Sequence, residues 1–303
     1  MNLHHLKVFR AVAEAGSISA GAARLHISQP AVTREIRELE ASVGVPLFDR
    51  RPRGVALTEG GQRLLQYAQR IFALEQAAEH ELRSFASLSQ GELRLGASAT
   101  LGSYLLPPLL GRFRAEHPQV FVDLRVSNTA EVTAQLDDGL IALGFVEGPF
   151  AAGDYAHRRL ARDALLPVAG PRHPLAGRRG LGLAELAAHA LYLREPSSGT
   201  RRSVEQAYRE HGLEARPGMV VGGTEALKRL IADGQGIAWL SQLAVVDELA
   251  SGRLVRLDVR DREIVRDLHV LWRRDSQLSP APAAFLAVLE AAGLPAGGNI
   301  KTF

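Results

Sequence analysis

The sequence contains no cysteine among its 303 residues, and it contains only three lysines, at positions 7, 228 and 301. Without cysteine the chain forms neither disulfides nor thiolate metal sites. No apolar run approaches the roughly 18 residues that a membrane-spanning helix needs. The first residues also lack the basic and apolar segments of a secretory signal. We therefore expect a cytoplasmic protein with no membrane partner.

The remaining composition is ordinary for a globular protein. Apolar residues make up 46% of the chain and charged residues 23%, and the formal net charge is only +3. So small a net charge does not by itself indicate nucleic acid, so the local placement of the arginines carries more information. The length favours two domains or more.

The segment from residue 17 to residue 43 has the pattern of two helices joined by a tight turn. Ser17 and Ser28 can each accept hydrogen bonds from the free N–H groups of a helix start. Residues 26–28 interrupt the pattern, and Pro30 falls in the first turn of the second helix, where a missing N–H does no harm. A first helix over residues 2–14 would support the pair. This order predicts a helix-turn-helix.

The second of these helices has one apolar and one polar face. The apolar stripe is formed by Val32, Ile36, Leu39 and Val43. The opposite face carries Gln29, Pro30, Thr33, Arg34 and Arg37, and we expect Glu35 and Glu38 to point away from it. Amide, hydroxyl and guanidinium groups are those that read base edges in a major groove. A solvated amphipathic helix that binds nothing explains the polar face equally well.

A predicted hairpin over residues 46–57 follows the second helix. Its tip carries Arg50, Arg51 and Arg53 beside a proline and a glycine. A basic hairpin tip suits contact with a DNA backbone or a narrow minor groove. Because the hairpin comes directly after a helix-turn-helix, we interpret it as a wing that forms a second DNA contact.

The segment LHISQPAVTREIRELEASVGVPLFDRRPRGVALTEGG resembles the N-terminal domain of LysR-type transcriptional regulators. The resemblance implies that Gln29, Pro30, Thr33 and Arg34 approach base edges. It also implies that the DNA backbone is contacted mainly by Ser28, Arg37, Arg50 and Arg53. The sequence departs from the family at Gly60, where alanine is common. Since glycine weakens a helix by about 1 kcal/mol relative to alanine, we expect the Gly60-Gly61 junction to flex.

A long linker helix is predicted from Thr58 to about residue 87, with a polar hinge over residues 87–91. Its apolar stripe needs a partner, which could be the chain's own C-terminal domain. The resemblance instead implies the same helix of a second chain, and thus a homodimer or a tetramer. A two-fold symmetric dimer can also recognise both halves of a pseudo-palindromic DNA site, whereas a single helix-turn-helix recognises only one. The predicted domains are 1–58 (winged helix-turn-helix), 59–90 (linker) and 91–303 (effector-binding).

Strands alternate with helices beyond residue 91, which predicts an α/β domain with mostly parallel sheets. Strands are predicted at 92–97, 120–126, 140–146, 164–169, 189–193, 218–222, 237–240, 253–258 and 267–274, and helices at 101–115, 129–138, 184–188, 201–211, 224–234, 242–250 and 281–291. The resemblance implies two subdomains like those of a periplasmic binding protein. Subdomain I would comprise 91–162 and 267–303, and subdomain II would comprise 163–266.

Three predicted strand-to-helix turns are rich in small polar residues that suit an anion. Their candidate effector contacts are Ser98, Thr100, Ser197, Ser198, Gly199, Thr200, Arg201 and Thr224, with Arg202 adjacent. Simple helix caps explain each turn alone, but three converging turns favour a small-anion site. The segment REPSSGTR resembles regulators of carbon fixation and of sulfur-oxyanion assimilation, which implies a small oxyanion or carboxylate co-inducer. No other cofactor is expected.

Other chemistry has little support in the sequence. His4 and His5 are adjacent on a helix, which is unsuited to one ion, and we expect no acidic third ligand nearby. Ser98, Ser197 and Ser198 lack the strained G-x-S-x-G elbow of a nucleophile. An enzyme on the α/β half is therefore disfavoured, and a metal site is not expected.

These patterns together predict a sequence-specific DNA-binding transcriptional regulator controlled by a small, anionic effector. Its expected partners are double-stranded DNA, a second copy of the chain, the effector and, as a further candidate, RNA polymerase. A cytosolic solute-binding protein is the alternative. It explains the C-terminal half equally well, but it leaves the polar helix face and the arginine-rich hairpin without a role.

Overall fold

The computed structural model describes residues 1–51, 54–84, 91–153, 155–234, 236–260 and 263–294. The side chains at 50, 51, 76, 77 and 80–84 lie outside this description. The chain divides into two compact units, Met1–Glu79 and His80–Phe303. Among the described residues, no helix combines the length and the apolar character needed to cross a bilayer.

The first unit begins with three helices whose starts are capped by side chains. These are α1 (Leu3–Ala15), α2 (Ile18–Leu25) and α3 (Gln29–Val43). Ser17 accepts a hydrogen bond from the N–H of Ala20, and Ser28 accepts one from the N–H of Ala31. His26 ends α2 with a φ of 54°, in the left-handed region. The predicted helix-turn-helix is confirmed.

The apolar side of α3 is buried against α1 and α2. Val32 and Leu39 are fully buried, and they lie in one cluster with Phe9, Val12 and Leu47. This cluster fixes the rotation of α3, because turning the helix would expose the stripe to water. The polar residues of α3 are therefore held on the outside.

The predicted hairpin and the start of the linker helix are also present. Strands β1 (Phe48–Arg51) and β2 (Gly54–Leu57) pair antiparallel, and α4 runs over Glu59–Ser84. The hydroxyl of Thr58 caps α4 by accepting from the N–H of Gly61 at 2.9 Å. The predicted continuation of α4 to residue 87 and most of the hinge lie outside the described residues.

Gly61 is constrained by close packing, contrary to the expected flexibility of the Gly60-Gly61 junction. A Cβ built on Gly61 would lie 2.1 Å from the carbonyl oxygen of Leu47, which is far inside contact distance. A Cβ on Gly60 would meet nothing closer than 3.5 Å. Only the second glycine is therefore needed, because the hairpin and α4 approach each other there without room for a side chain.

Part of the apolar stripe of α4 is covered within the first unit. Ala68 and Phe72 are buried beside Leu6 of α1, with Leu64 and Ile71 packed around them. Tyr67 and Leu74 lie elsewhere on the same helix and are 63% and 57% exposed. The first helix thus buries one side of the linker helix and leaves other apolar side chains in water.

The second unit is built on one mixed sheet. Its strands are β3 (Glu92–Ser98), β4 (Phe121–Ser127), β5 (Leu143–Glu147), β6 (Tyr155–Ala169), β7 (Leu191–Arg194), β8 (Pro217–Val221), β9 (Ile237–Ser241), β10 (Val255–Arg256) and β11 (Ile264–Arg273). The order is β4-β3-β5-β11-β6-β9-β7-β8, and β10 pairs with β6.

The sheet is parallel at its two ends and antiparallel in its centre. Strands β3, β4 and β5 pair parallel at one end, and β7, β8 and β9 do so at the other. The long strands β6 and β11 pair antiparallel with each other and join the two ends. The expected mostly parallel sheet is therefore wrong for the centre, because both crossing strands run against their neighbours.

Helices cover the sheet on both faces. They are α5 (Leu106–Glu116), α6 (Thr129–Asp137), α7 (Leu183–Ala187), α8 (Gly199–Glu210), α9 (Thr224–Asp233), α10 (Val246–Ala250) and α11 (Pro280–Ala291), with a π-helical turn at Leu101–Leu105 and a 3₁₀ turn at Gln242–Ala244. Separate apolar clusters form around β3, β5 and α11 at one end and around β7, β9 and α8 at the other. The predicted α/β architecture is confirmed.

Candidate DNA-binding face and effector site

The polar face of α3 is open to solvent. Ser28, Gln29, Pro30, Arg34 and Arg37 are exposed, and Thr33 is half-buried. The hydroxyl of Thr33 donates to the carbonyl of Gln29 at 3.0 Å, one turn back along the helix. This bond directs the hydroxyl at the helix backbone, so the chemical groups that α3 offers outward are mainly the amide of Gln29 and the two guanidinium groups.

Arg34 lies between two carboxylates of its own helix. Its Nη2 is 3.6 Å from Oε1 of Glu35, and its Nε is 3.7 Å from Oε1 of Glu38. The expectation that both glutamates point away from the polar face is therefore wrong, since Glu38 follows Arg34 by four residues on the same face and the long arginine side chain also reaches the adjacent Glu35. The side chain of Arg34 nevertheless remains 71% exposed.

The arginines of the hairpin are only partly described. The backbone of Arg50 lies opposite Val55 and that of Arg51 lies opposite Gly54 in the β1–β2 ladder. The side chains of both residues, and the whole of Arg53, lie outside the described residues. Their roles in holding DNA remain predictions from the sequence.

A buried cluster of charged and hydroxyl side chains occupies the centre of the second unit. Arg266 on β11 donates from Nε to Asp163 on β6 at 2.8 Å. It also donates from Nη1 to Thr200 at 2.7 Å and from Nη2 to Thr100 at 3.2 Å. Nη1 lies 3.4 Å from a carboxylate oxygen of Glu147. One guanidinium thus connects both central strands to two of the predicted turns.

Two serines complete this cluster. The hydroxyl of Ser98 donates to Oε2 of Glu147, and that of Ser241 donates to Oδ1 of Asp163 at 2.8 Å. All of these side chains are buried. Burial raises the pKa of Glu147, and the positive charge of Arg266 opposes that rise only in part. Glu147 therefore keeps its proton to a higher pH than an exposed glutamate does.

The start of α8 lies directly against the end of β5. A Cβ built on Gly199 would be 2.1 Å from the carbonyl oxygen of Glu147 and 2.8 Å from Oγ1 of Thr129. Only glycine permits this approach. The contact brings the free N–H groups of a helix N-terminus beside the buried cluster, where a negative charge is favoured.

Arg202, in the first turn of α8, has unused hydrogen-bonding capacity. Its Nε and Nη2 are both buried, and neither has a hydrogen-bond partner within the described part of the chain. Oγ1 of Thr129 is buried without a partner in the same sense. The charge of Arg202 acts on Glu147 and lowers the pKa of that carboxyl, against the larger effect of burial. The site therefore holds a half-buried arginine, two of whose donor nitrogens are not satisfied by the described protein atoms.

The predicted effector contacts separate into two groups. Ser98, Thr100 and Thr200 belong to the buried cluster, and the buried Ser198 and half-buried Ser197 lie in the turn before α8. Thr224 instead accepts from Nη1 of Arg194 at 2.7 Å. Arg194 is fixed in turn by both carboxylate oxygens of Glu195.

Arg201 is turned away from the cluster. Its Nε donates to Glu205 at 2.7 Å, and its Nη1 donates to the carbonyl of Arg194 at 3.2 Å. Arg201, the predicted effector contact, is therefore already engaged, whereas Nε and Nη2 of the adjacent Arg202 have no hydrogen-bond partner in the described part of the chain. The side chains of Thr100 and Ser198 make no capping hydrogen bond in the described structure, so simple capping does not account for these hydroxyls.

Several members of the cluster are not among the residues predicted from the sequence. They are Thr129, Glu147, Asp163, Ser241 and Arg266. The sequence contains little signal for Asp163 or Arg266, since each stands next to another charged residue and just before the start of a predicted strand. A charged residue is buried only when it is paired, and that pairing becomes visible only in the folded chain.

The first unit holds a second cluster that was not expected. Nε2 of His5 lies 3.3 Å from Oε2 of Glu35 and 3.7 Å from Oε2 of Glu38. The expectation that no acidic third ligand lies near the two histidines is wrong in the folded chain, because α3 crosses α1 at this point.

Comparisons with known proteins identify the family. The model described as "Bacterial regulatory helix-turn-helix protein, lysR family" matches residues 3–62, and that of the "LysR substrate binding domain" matches residues 86–293. The RuBisCO operon transcriptional regulator of Allochromatium vinosum is 34% identical over 285 residues, which is 94% of each chain.

Solved structures agree with the sequence comparisons. Full-length CbnR in complex with its target DNA has a TM-score of 0.73 and 26% identity, over 96% of this chain and 100% of that one. The regulatory domain of CcmR from Synechocystis PCC6803, in complex with 2-PG, has a TM-score of 0.63 and 33% identity over 67% of this chain and 97% of that one. The chain therefore belongs to the LysR family of transcriptional regulators, which bind DNA through the helix-turn-helix unit and respond to small-molecule effectors.

Proposed function

We propose that this LysR-family regulator responds to a small anion held beside Arg202. The anion is an oxyanion or a carboxylate, and a molecule with both a phosphate and a carboxylate fits best. It lies between a subdomain I of residues 91–162 and 267–303 and a subdomain II of residues 163–266. The boundaries fall on β6 and β11, the two strands that cross between the ends of the sheet.

This proposal rests on Nε and Nη2 of Arg202, which are buried and have no hydrogen-bond partner among the described residues. A buried donor without a partner costs about 1–3 kcal/mol, and more when it is charged. Nε and Nη2 lie on the same edge of the guanidinium plane, which is the edge that forms two parallel bonds to a carboxylate or a phosphate. An anion there satisfies both donors and meets the N-terminus of α8.

The relatives support the same chemical class of effector. The CcmR regulatory domain was solved with 2-phosphoglycolate, which carries a phosphate and a carboxylate. Among the described residues the hydroxyl of Thr100 only accepts, from Arg266, and Oγ1 of Thr129 lies beside Gly199 at the start of α8, so both hydroxyls can donate to phosphate oxygens. The buried Glu147 is compatible with an anion when it is protonated, which its raised pKa favours.

Isothermal titration calorimetry with 2-phosphoglycolate, sulfate and the uncharged analogue ethylene glycol tests this proposal. We expect heat from at least one anion and none from ethylene glycol. The variant R202Q should weaken anion binding at least about tenfold, since it removes a charged hydrogen-bonding partner. The neighbouring R201Q should bind as the wild type does, because Arg201 is engaged by Glu205. Equal loss in both variants, or binding of ethylene glycol alone, contradicts the anion site.

The DNA-binding form is proposed to be a homodimer or a dimer of dimers on a pseudo-palindromic site. The exposed apolar side chains of Tyr67 and Leu74 on α4 support self-association, since such residues are usually buried at an interface. Contact with RNA polymerase is part of the same proposal, as a regulator bound near a promoter. The base-reading residues are proposed to be Gln29, Pro30, Thr33 and Arg34, and the backbone contacts Ser28, Arg37, Arg50, Arg51 and Arg53.

A gel-shift experiment with a fragment from upstream of the chain's own gene tests the DNA-binding proposal. The full chain should retard this fragment and not a scrambled fragment of equal length and composition. Replacing Leu74 by aspartate should lower both the oligomeric mass in analytical ultracentrifugation and the affinity for the complete site. If L74D remains a dimer, the interface lies elsewhere. If both fragments are retarded equally, the chain binds DNA without sequence specificity.

A further inference from the structure

A histidine and two glutamates meet on the surface between α1 and α3. The three candidate ligand atoms, one from each of His5, Glu35 and Glu38, all lie within 4.8 Å of one another. The exposed His4 is next to them, with its Nε2 3.7 Å from Oε2 of Glu35. His5 and Glu35 are each only 14% exposed, so their positions are fixed by the packing of the two helices.

The separations suit a four-coordinate metal ion. Zinc binds imidazole nitrogen and carboxylate oxygen at about 2.0–2.1 Å, so neighbouring ligands of a tetrahedral site lie about 3.3–3.4 Å apart. The distance from Nε2 of His5 to Oε2 of Glu35 is 3.3 Å. The corresponding distance to Glu38 is 3.7 Å. Glu38 is 54% exposed and can close this difference by a small side-chain rotation.

We propose that His5, Glu35 and Glu38 bind one divalent transition-metal ion of the Zn²⁺ class, with the fourth position open to water. An imidazole ligand selects against Mg²⁺ and Ca²⁺, which prefer oxygen alone. Nδ1 of His5 is buried without a hydrogen-bond partner among the described residues, so only Nε2 is available to a ligand. Because no described residue bonds to Nδ1, the imidazole lacks the outer-shell support of a structural zinc site, and the ion exchanges more readily.

The ion would act on the proposed base-reading residue. Each glutamate uses Oε2 toward His5 and Oε1 toward Arg34. A metal ion on the two Oε2 atoms neutralises both carboxylates and weakens their attraction for Arg34, whose guanidinium is then free to reach a base. This consequence rests on the proposed role of Arg34 in DNA binding, whereas the metal site itself does not.

Titration of the metal-free full chain with Co²⁺ tests the site without DNA. Co²⁺ bound by nitrogen and oxygen ligands gives a visible absorption, and the absence of cysteine removes thiolate competition. We expect saturation at one ion per chain and displacement by Zn²⁺. H5Q and E38Q should each weaken binding at least about tenfold, the loss that even outer-shell partners cause. E38Q alters an exposed side chain, so it serves if H5Q fails to fold.

The matched control is H157Q, which removes a histidine from the His157–His269 pair in the second unit, where the ring centroids are 5.9 Å apart. This variant should bind Co²⁺ as the wild type does. The proposal is overturned if no saturable absorption develops, or if H5Q and E38Q keep the wild-type affinity. If H157Q loses Co²⁺ binding and H5Q retains it, the metal site lies in the second unit, and the proposal is overturned as well.

A parallel gel shift, with and without Zn²⁺, tests the coupling to DNA. Zn²⁺ should raise the affinity of the wild type for its fragment by up to about tenfold, because two exposed ion pairs no longer hold Arg34 back. H5Q should not respond. If the chain binds metal but its DNA affinity does not change, the coupling between metal and DNA is contradicted. If the chain binds no DNA at all, the proposed function is contradicted, and the Co²⁺ result for the metal site still stands.

Discussion

The two units of this regulator use polar side chains in opposite ways. On α3 the polar residues are exposed, and every residue that presents them lies between Ser28 and Val43. In the second unit the polar cluster is buried, and Arg266 reaches Thr100 across a separation of 166 residues. The comparison teaches that an exposed polar helix face can be built from a local sequence pattern, whereas a buried polar cluster exists only once distant strands have paired.

The two arrangements also differ in how strongly their members depend on one another. An exposed side chain that loses its partner is hydrated, so its neighbours are little affected. A buried charge that loses its partner remains in an environment of low polarity. Substitutions in the second unit should therefore affect stability, and those on the face of α3 should affect mainly DNA binding.

Replacing Arg266 by alanine should have the largest effect. It leaves the buried carboxylate of Asp163, which lies 2.8 Å from Nη2 of Arg266, without its counter-charge, and breaking a buried pair in this way costs about 3–5 kcal/mol. The free energy of unfolding from urea denaturation measures the loss. The control R216A removes an exposed partner of Glu214 and should cost at most about 1 kcal/mol. If R266A and R216A lower the free energy of unfolding equally, the residues of the buried cluster depend on one another no more than an exposed ion pair does.

Alanine substitutions at the two junction glycines form a second matched pair. G61A places a Cβ against the carbonyl of Leu47 and should destabilise the first unit by about 1–3 kcal/mol. G60A has room and should stabilise by about 0.4–1 kcal/mol, since it restricts the unfolded chain. Thermal unfolding followed by circular dichroism distinguishes them. Stabilisation by both substitutions would mean that the close approach at Gly61 is absent.

Two arginines on α3 sharpen the comparison at the DNA. R34A should cost about 1–3 kcal/mol in binding and relax the preference at one base pair, if Arg34 reads a base. R37A should weaken binding to all DNA sequences alike, as expected for a phosphate contact. It should also reduce the slope of the logarithm of the binding constant against the logarithm of the salt concentration by about one. Fluorescence anisotropy with a set of single-base variants, at several salt concentrations, measures both quantities. If R34A behaves as R37A does, the division between base and backbone roles is wrong.

The smallest expected effect concerns pH. The raised pKa of Glu147 means that lowering the pH adds its proton and removes a negative charge beside the anion. Anion affinity should therefore fall as the pH rises through that pKa, by no more than about tenfold per pH unit for one proton. Calorimetry with sulfate, whose charge is constant over this range, measures the dependence. E147Q should bind sulfate with little pH dependence, and an unchanged slope in this variant would place the proton elsewhere.

The sequence predicted the local structure of the first unit well, for a physical reason. Ser17, Ser28 and Thr58 cap the helices that follow them, and the apolar stripe of α3 has the helical period. These are interactions between residues near in sequence. The positions of Glu35 and Glu38 relative to His5 could not be predicted in this way, because they depend on how α3 crosses α1.

The second unit was predicted less completely. The first half of β6, from Tyr155 to Asp163, was missed because it carries a charged residue at many positions, and its apolar signal is weak. The choice between Arg201 and Arg202 could not be made from adjacent positions on one helix. It depends on Glu205, which engages Arg201, and on the burial of Arg202 beside Glu147.

The most direct test of the central claim is the electrophoretic mobility of the complex between the full chain and its upstream DNA fragment, with and without 2-phosphoglycolate. The anion should change the mobility or the affinity of the wild-type and R201Q complexes, because it shifts the arrangement of the DNA-bound domains. It should leave the R202Q complex unchanged at the same concentration. A response in R202Q equal to that of the wild type would contradict the account.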